Sequence, residues 1–159
     1  MSFRLREFDS ADFDRLHHID QSCFPPGISY SRRELAYYIS LRGTFTLVAE
    51  TAAKPPEIAG FIVGQKNPKG MGHIITIDTV ARFRRHGLGS LLMQAAENRL
   101  QAEGCRAIIL EAAVDNAAAI AFYKRLGYFV VKTIPRYYQG RLDALMMAKR
   151  FQDQSPPVA

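Results

Sequence analysis

A glycine-containing loop between a strand-like run and the strongest helical pattern constrains the fold of this chain more than any other feature. The loop reads Arg84-Arg85-His86-Gly87-Leu88-Gly89, and leucines and alanines follow it at helical spacing as far as Leu100. Backbone N–H groups at a helix N-terminus attract anions, and glycine lets a phosphate approach the backbone closely. The loop therefore predicts a pyrophosphate site formed by the backbone amides of Arg85 to Ser90.

Other phosphate-binding motifs fit this loop poorly. A Walker loop requires G-x-x-x-x-G-K-[ST], which the sequence does not contain, and a dinucleotide fingerprint requires a third glycine where Leu92 stands. The formal net charge of +6 favours polyanionic partners in general. The alternative to a phosphate site is that both glycines only shape the start of a helix and that the arginines are solvated.

The first half of the chain alternates between strand and helix patterns. Phe3 to Arg6 predicts a strand, Ser10 is a candidate cap for a first helix, and Ser31 with Glu34 forms a capping box for a second. Three further runs with short turns between them predict an antiparallel meander. These runs are Thr44–Glu50, Ile58–Gln65 and His73–Val80.

The second half adds a strand and a helix to this meander. Ala107 to Val114 predicts a strand buried on both faces, and Asp115 or Asn116 is the candidate cap of a helix over Ala117–Leu126. The remaining predictions are a strand over Tyr128–Ile134, a turn-rich connection over Pro135–Arg141 and an extended segment over Asp143–Phe151. We expect one domain over residues 1–151 and a disordered polar tail over 152–159.

Two motifs in this order resemble the GCN5-related N-acetyltransferase (GNAT) family. Arg84, Gly87 and Gly89 match its acetyl-CoA loop, Q/R-x-x-G-x-G/A, and Leu110–Tyr128 is similar to its fifth strand, following helix and the L-G-[FY] start of its sixth strand. The resemblance implies an α/β (α+β) fold. Its central sheet would be mixed and mostly antiparallel, with six to seven strands splayed between the fourth and fifth, and about four flanking helices.

The family implies a reaction and a donor. Acetyl-CoA would be the co-substrate, with no metal, and a primary amine would attack it directly in a ternary complex. The sequence most resembles N-terminal protein acetyltransferases, including the bacterial enzyme for a ribosomal-protein alanine, which favours a protein N-terminal α-amine. A polyamine, amino acid or antibiotic-like amine remains an alternative, because Val80-Ala81-Arg82 and a short final connection depart from that enzyme's pattern. A non-catalytic basic binding or regulatory module is a second alternative.

Three residues are candidates for proton transfer. The resemblance places the general base at Glu111 and the general acid at Tyr123, and His73 is a second candidate base. A lone carboxylate in an apolar strand is costly without a function or a partner. The structural alternatives are a paired or exposed Glu111, a core Tyr123 and a surface His73.

The remaining candidates surround these three. We expect the backbone of Ile77, Asp78 and Thr79 to face the acyl group and pantetheine, with a solvent-facing side chain as the plain alternative for Asp78. Asn116 is expected to contact pantetheine or simply to cap its helix. Tyr30, Tyr137 and Tyr138 are the candidates for the acceptor side. The full predicted set for the cofactor is Ile77, Asp78, Thr79, Arg84, Arg85, His86, Gly87, Leu88, Gly89, Ser90, Asn116 and Tyr123.

The sequence also limits the setting of the protein. No apolar run reaches the length of a membrane span and the N-terminus lacks the pattern of a secretion signal, so we expect a cytoplasmic protein without membrane contacts. Cys23 and Cys105 are expected to be free thiols. Nucleic acid is a disfavoured partner, and either a monomer or a homodimer is compatible with these patterns.

Overall fold

The computed structural model describes residues 1–151, so the predicted disorder of the tail over 152–159 concerns residues outside the described part. A single sheet and four α-helices make up this part, with short 3-10 turns at Ser10–Asp12 and Ala81–Phe83. The strands are β1 Phe3–Glu7, β2 Thr44–Thr51, β3 Ile58–Lys66, β4 Gly72–Thr79, β5 Ala107–Ala113, β6 Phe129–Tyr138 and β7 Leu142–Arg150. The helices are α1 Phe13–Cys23, α2 Arg32–Ser40, α3 Leu88–Ala102 and α4 Ala117–Arg125.

The sheet has seven strands in the order β1-β2-β3-β4-β5-β7-β6. Every neighbouring pair is antiparallel except β4 and β5, which are parallel. The predicted mixed, mostly antiparallel fold with a meander over β2–β4 is therefore confirmed.

Helices cover both faces of the sheet because each presents an apolar stripe. On one face α3 buries leucines such as Leu92 and Leu100 against Ile62 and Ile108, in the larger of two hydrophobic clusters. On the other face Leu16, Ile19 and Leu35 of α1 and α2 pack on Val48, Phe61 and Val63. Burying these side chains is the main source of stability, at roughly 25 cal/mol per Å² of apolar surface. The two layers fix the ends of β4 and β5 relative to the helices around them.

Helix capping follows the sequence closely at α2 and differs at α1. The Ser31–Glu34 capping box is present at α2 as predicted. The prediction of Ser10 as the cap of the first helix is wrong. Asp9 caps the 3-10 turn by accepting from the Ala11 N–H, and Asp12 pairs with Arg6, so α1 begins only at Phe13.

Two strand predictions also need correction. The prediction that β5 is buried on both faces is wrong, since burial alternates along the strand, with Leu110 buried and Glu111 only partly buried. The face that carries Glu111 lies beside a cavity rather than a packed layer of side chains. The predicted connection over Pro135–Arg141 is mostly strand, since β6 continues to Tyr138. An edge strand tolerates a proline, and a register shift with Arg136 at a φ of 53° accommodates the remaining turn formers.

Three further predictions concern the described part of the chain. Cys23 and Cys105 are free thiols, as predicted. Within residues 1–151, no helix has the length and apolar character needed to cross a membrane. The same residues contain no cluster of three or more His, Cys, Asp or Glu side chains suited to holding a metal ion.

Candidate active site

The site is built on the separation of β4 from β5. The two strands pair only at Gly72 with Ile108 and His73 with Ile109. Beyond His73 the remaining edge of β4 has no strand partner on this side, so its backbone N–H and C=O groups are available to a ligand. The opening is the splay that the family resemblance implies.

A cavity of about 280 Å³ occupies this opening. Its walls come from β4, β5, the start of α4, the end of β6 and the segment between α1 and α2. The cavity brings together six of the predicted site residues, which are Tyr30, Ile77, Glu111, Asn116, Tyr123 and Tyr138. His73, Asp78, Thr79, Tyr137 and the loop 84–90 are not among its lining residues.

The two candidate bases are hydrogen-bonded to each other. His73 Nε2 lies 2.8 Å from Glu111 Oε2, with 26% and 15% of their side chains exposed. This pairing explains how β5 can carry a carboxylate, because a partly buried charge needs a partner. Only Glu111 of the two lines the cavity, so His73 is placed to orient Glu111 rather than to reach an amine itself.

Two tyrosines in the cavity can hold a proton for a leaving group. Tyr123 is 9% exposed, and burial together with the nearby Asp78 raises the pKa of its phenol. Burial, Tyr137 and Glu111 likewise raise the pKa of Tyr138. Both phenols therefore keep their protons throughout the neutral pH range.

The acceptor side contains aromatic and apolar residues besides the three predicted tyrosines. Burial and the Glu111 charge raise the pKa of Tyr137 to about 12, although 45% of the residue remains exposed. Twelve of the 18 lining residues were not among the predicted site residues, and four of these twelve come from the end of α1 and the segment after it, namely Cys23, Phe24, Pro25 and Ile28. The breaker Phe24-Pro25-Pro26-Gly27 was their only sequence signal, since an aromatic and proline cluster between two helices can form a wall as well as a turn.

The predicted phosphate loop lies at the N-terminus of α3. Gly87 is the N-cap at a φ of 78°, and Arg85 also has a positive φ of 65°. No atom lies within 4 Å of the position that a Cβ on Gly87 would take, so the backbone there is open to a ligand. The first N–H groups of α3 have no acceptor within the helix. The loop therefore has the features that a pyrophosphate requires.

Two residues of this loop also have structural contacts. The Arg84 guanidinium donates through Nε to the Thr79 carbonyl at 3.2 Å, which ties the loop to the end of β4. A Cβ on Gly89 would lie 3.1 Å from the Phe122 ring, so this glycine lets α3 pack against α4. Gly87 and Gly89 thus have different reasons to be glycine.

Asp78 does not face solvent, which excludes the alternative of an exposed side chain. It is 1% exposed, because the β4 side chains on this face point towards α1. Burial and the neighbouring carboxyl of Asp20 raise its pKa well above the usual range.

Asn116 caps α4 and also lines the cavity. Its Oδ1 accepts from the Ala119 N–H at 3.1 Å. We expect Asn116→Ala to lower the free energy of unfolding by about 1 kcal/mol in urea titrations, and Asn116→Ser to restore most of it because serine is also a good cap. Calorimetry on Asn116→Ser then tests the second role, since a folded variant with weakened acetyl-CoA binding requires a direct contact. Equal stability of wild type and Asn116→Ala would contradict the capping assignment.

Comparisons with known proteins agree with this geometry. Residues 13–128 match the profile of the acetyltransferase (GNAT) family. An N-acetyltransferase of Methanocaldococcus jannaschii, described as uncharacterized, is 30% identical over 97% of this chain and 96% of its own. An N-alpha-acetyltransferase of Sulfurisphaera tokodaii is 27% identical over 92% of both chains. The crystal structure of Ard1 from Thermoplasma volcanium superposes with a TM-score of 0.85 at 26% identity, covering 96% of this chain and all of that one.

Proposed function

The chain belongs to the GNAT acetyltransferase family, and we propose that it transfers the acetyl group of acetyl-CoA to the α-amine of a protein N-terminus. Acetyl-CoA-dependent transfer is the activity of the family. The N-terminal acceptor is supported by relatives that carry the name N-alpha-acetyltransferase and align over most of both chains.

The observation that carries the proposal is the position of Glu111. Its carboxylate lines a cavity at the opening between β4 and β5, with Tyr30 and Tyr138 on other walls. An attacking amine must lose a proton, and a carboxylate that already accepts one hydrogen bond from a partner is held in a fixed orientation for this task. Aromatic walls suit an extended peptide terminus that needs orientation more than charge.

The described residues fit acetyl-CoA in two places. The open edge of β4 offers amide groups for pantetheine, and the open backbone at Gly87 with the first amides of α3 suits the pyrophosphate. When bound, acetyl-CoA supplies an activated acyl thioester. Arg85 and His86 are exposed in this loop, where the Arg85 guanidinium adds positive charge for phosphate.

Different side chains of the protein carry out the two proton transfers of the reaction. Glu111 accepts the proton of the acceptor amine, directly or through a water molecule, while His73 holds the carboxylate in position. Tyr123 or Tyr138 retains a phenolic proton that it can donate to the departing sulfur.

A peptide assay with labelled acetyl-CoA tests the proposed acceptor. We expect label on the α-amine of peptides with free N-termini and none on matched peptides whose N-terminus is blocked but which carry an internal lysine. Tandem mass spectrometry locates the acetyl group. The panel should vary the first residue, because the walls at Phe24 and Ile28 would select among first side chains.

The same assay distinguishes the alternatives. Turnover confined to a polyamine, a free amino acid or an aminoglycoside-like amine would replace the protein acceptor with a small molecule. Label confined to internal lysine would keep a protein substrate but contradict the N-terminal assignment. Salt-sensitive binding to nucleic acid without turnover of any amine would favour a non-catalytic binding module.

A further inference from the structure

Two carboxyl groups are buried behind the acceptor wall, which is the part of the cavity wall formed by the segment between α1 and α2 that carries Tyr30. Asp20 of α1 is 0% exposed and Asp78 of β4 is 1% exposed. Helix α1 packs against β4, and the Asp20 carboxyl is the neighbouring group that, together with burial, raises the pKa of Asp78. No lysine, arginine or histidine forms an ion pair with either carboxyl among residues 1–151. Two adjacent carboxylates cannot both remain ionised in a buried site without a large cost.

The hydrogen bonds of each group leave one oxygen free for the other. Asp20 Oδ2 accepts from the Tyr30 N–H at 2.7 Å, and Asp78 Oδ1 accepts from the Thr76 hydroxyl at 2.6 Å. The other two oxygens, Asp20 Oδ1 and Asp78 Oδ2, receive no hydrogen bond from any other donor in the described part of the chain. One proton held between these oxygens satisfies both, because a carboxylic acid donates and a carboxylate accepts.

We propose that Asp20 and Asp78 share one proton and act as a positioning pair, which fixes Tyr30 and the acceptor wall against β4. Neither side chain lines the cavity, so the pair acts through Tyr30. The kinetic part of this inference rests on the proposed function, and its thermal part does not.

Tyr30 is the residue through which the pair reaches the site. Its N–H is bound by Asp20, its carbonyl accepts from Gln21, and its hydroxyl lies 3.5 Å from the Ile75 carbonyl. Ile75 is the extra residue of a bulge in β4, since its neighbours Ile74 and Thr76 pair with consecutive residues of β3. Loss of the shared proton would therefore disturb the wall formed by the α1–α2 segment while the cofactor loop at α3 stays in place.

The pair has few charged neighbours to compensate it. The titratable groups that interact with Asp78, besides Asp20, come from the end of α1, the α1–α2 segment, the loop before α3 and α4. They are the Cys23 thiol, the Tyr30 phenol, the Arg84 guanidinium and the Tyr123 phenol. Arg84 lowers the pKa of Asp78, but burial and Asp20 outweigh it and raise that pKa.

The direction of the pH effect follows from this raised pKa. An unfolded aspartate loses its proton near pH 4, whereas the folded pair keeps one. Stability from the shared proton is therefore complete below the unfolded pKa and is lost as the pH rises through the higher pKa of Asp78 in the folded protein. In Asp20→Asn the side-chain amide donates a hydrogen bond to Asp78 at every pH, so the loss of stability with rising pH should be smaller than in wild type.

Steady-state kinetics with a peptide acceptor test the positioning role. Asp20→Ala leaves the Tyr30 N–H and an Asp78 oxygen without partners, and we expect its peptide KM to rise roughly tenfold with kcat and acetyl-CoA affinity within a few fold. Asp20→Asn should restore the wild-type KM at neutral pH. As the pH is raised, the wild-type KM should rise relative to that of Asp20→Asn. An unchanged peptide KM in a folded Asp20→Ala protein, or failure of Asp20→Asn to restore it, would overturn the positioning role.

Thermal unfolding of the protein alone tests the shared proton. From about pH 5 to about pH 9, the Tm of Asp20→Asn should rise progressively relative to that of wild type. Asp14→Asn, at an exposed carboxylate of the same helix, is the matched control and should show a constant offset. A constant offset in Asp20→Asn as well would overturn the shared proton, whether or not the protein acetylates peptides. If Asp20→Ala fails to fold, Asp20→Asn and its pH dependence decide both points.

Discussion

Glu111→Gln should lower kcat by about 10²-fold to 10⁴-fold, the range typical of losing a general base, with little change in acetyl-CoA affinity. Glutamine keeps the size of the side chain and a hydrogen bond to His73, which lies 2.8 Å from the carboxylate. The lower kcat would therefore result from the missing negative charge rather than from a change in packing. Steady-state kinetics give the effect, and calorimetry with acetyl-CoA gives the binding control.

Two further variants make this prediction specific. Asp115→Asn removes another carboxylate from the same cavity and should leave kcat within a few fold. His73→Ala should have a smaller effect than Glu111→Gln, and the double variant should be no slower than Glu111→Gln, because residues that act as a unit are not additive. If His73→Ala instead removes the acidic limb of the pH–rate profile and Glu111→Gln retains it, His73 is the base.

Gly87→Val should weaken acetyl-CoA binding by tenfold or more, because the branched side chain would occupy the approach to the open backbone at the start of α3. Gly87 has a φ of 78°, so the substitution also costs roughly 1–2 kcal/mol of stability in a left-handed conformation. Calorimetric titration with acetyl-CoA, on protein shown to be folded, measures the loss of affinity.

Gly70 offers a matched control for that strain. It has a φ of 79° and no atom within 4 Å of the position that a Cβ would take, but it lies in the turn between β3 and β4. Gly70→Val should therefore lose comparable stability and keep normal acetyl-CoA affinity. Equal acetyl-CoA affinities in Gly87→Val and Gly70→Val would contradict the assignment of the pyrophosphate to this loop.

Features fixed by a few neighbouring residues could be predicted from the sequence. The Ser31–Glu34 capping box and the Asn116 cap both depend on hydrogen bonds within one turn of a helix. The family motifs are local in the same sense. They identify the predicted phosphate loop and Glu111 as candidates without any knowledge of tertiary contacts.

Features that depend on distant partners were missed or left open. His73 and Glu111 are 38 residues apart, so only the register of β4 against β5 shows that the two candidate bases form one pair. Asp20 and Asp78 belong to α1 and β4, and neither local pattern predicts that both are buried. The extension of β6 through Pro135 was missed because local turn preference was outweighed by pairing with β7 at a sheet edge.

The short contact between β4 and β5 has a consequence for cooperativity. β3 and β4 are in register at seven positions, whereas β4 and β5 are in register at two, so the sheet consists of a four-stranded and a three-stranded half joined along a weak seam. A ligand held by both halves adds its binding free energy to that seam by mass action. We therefore expect the amide hydrogens of β4 and those of β5 to exchange with solvent more slowly once acetyl-CoA is bound, with both strands protected together. The acetyl donor would then stabilise the contact between the two halves of the sheet as well as take part in the reaction.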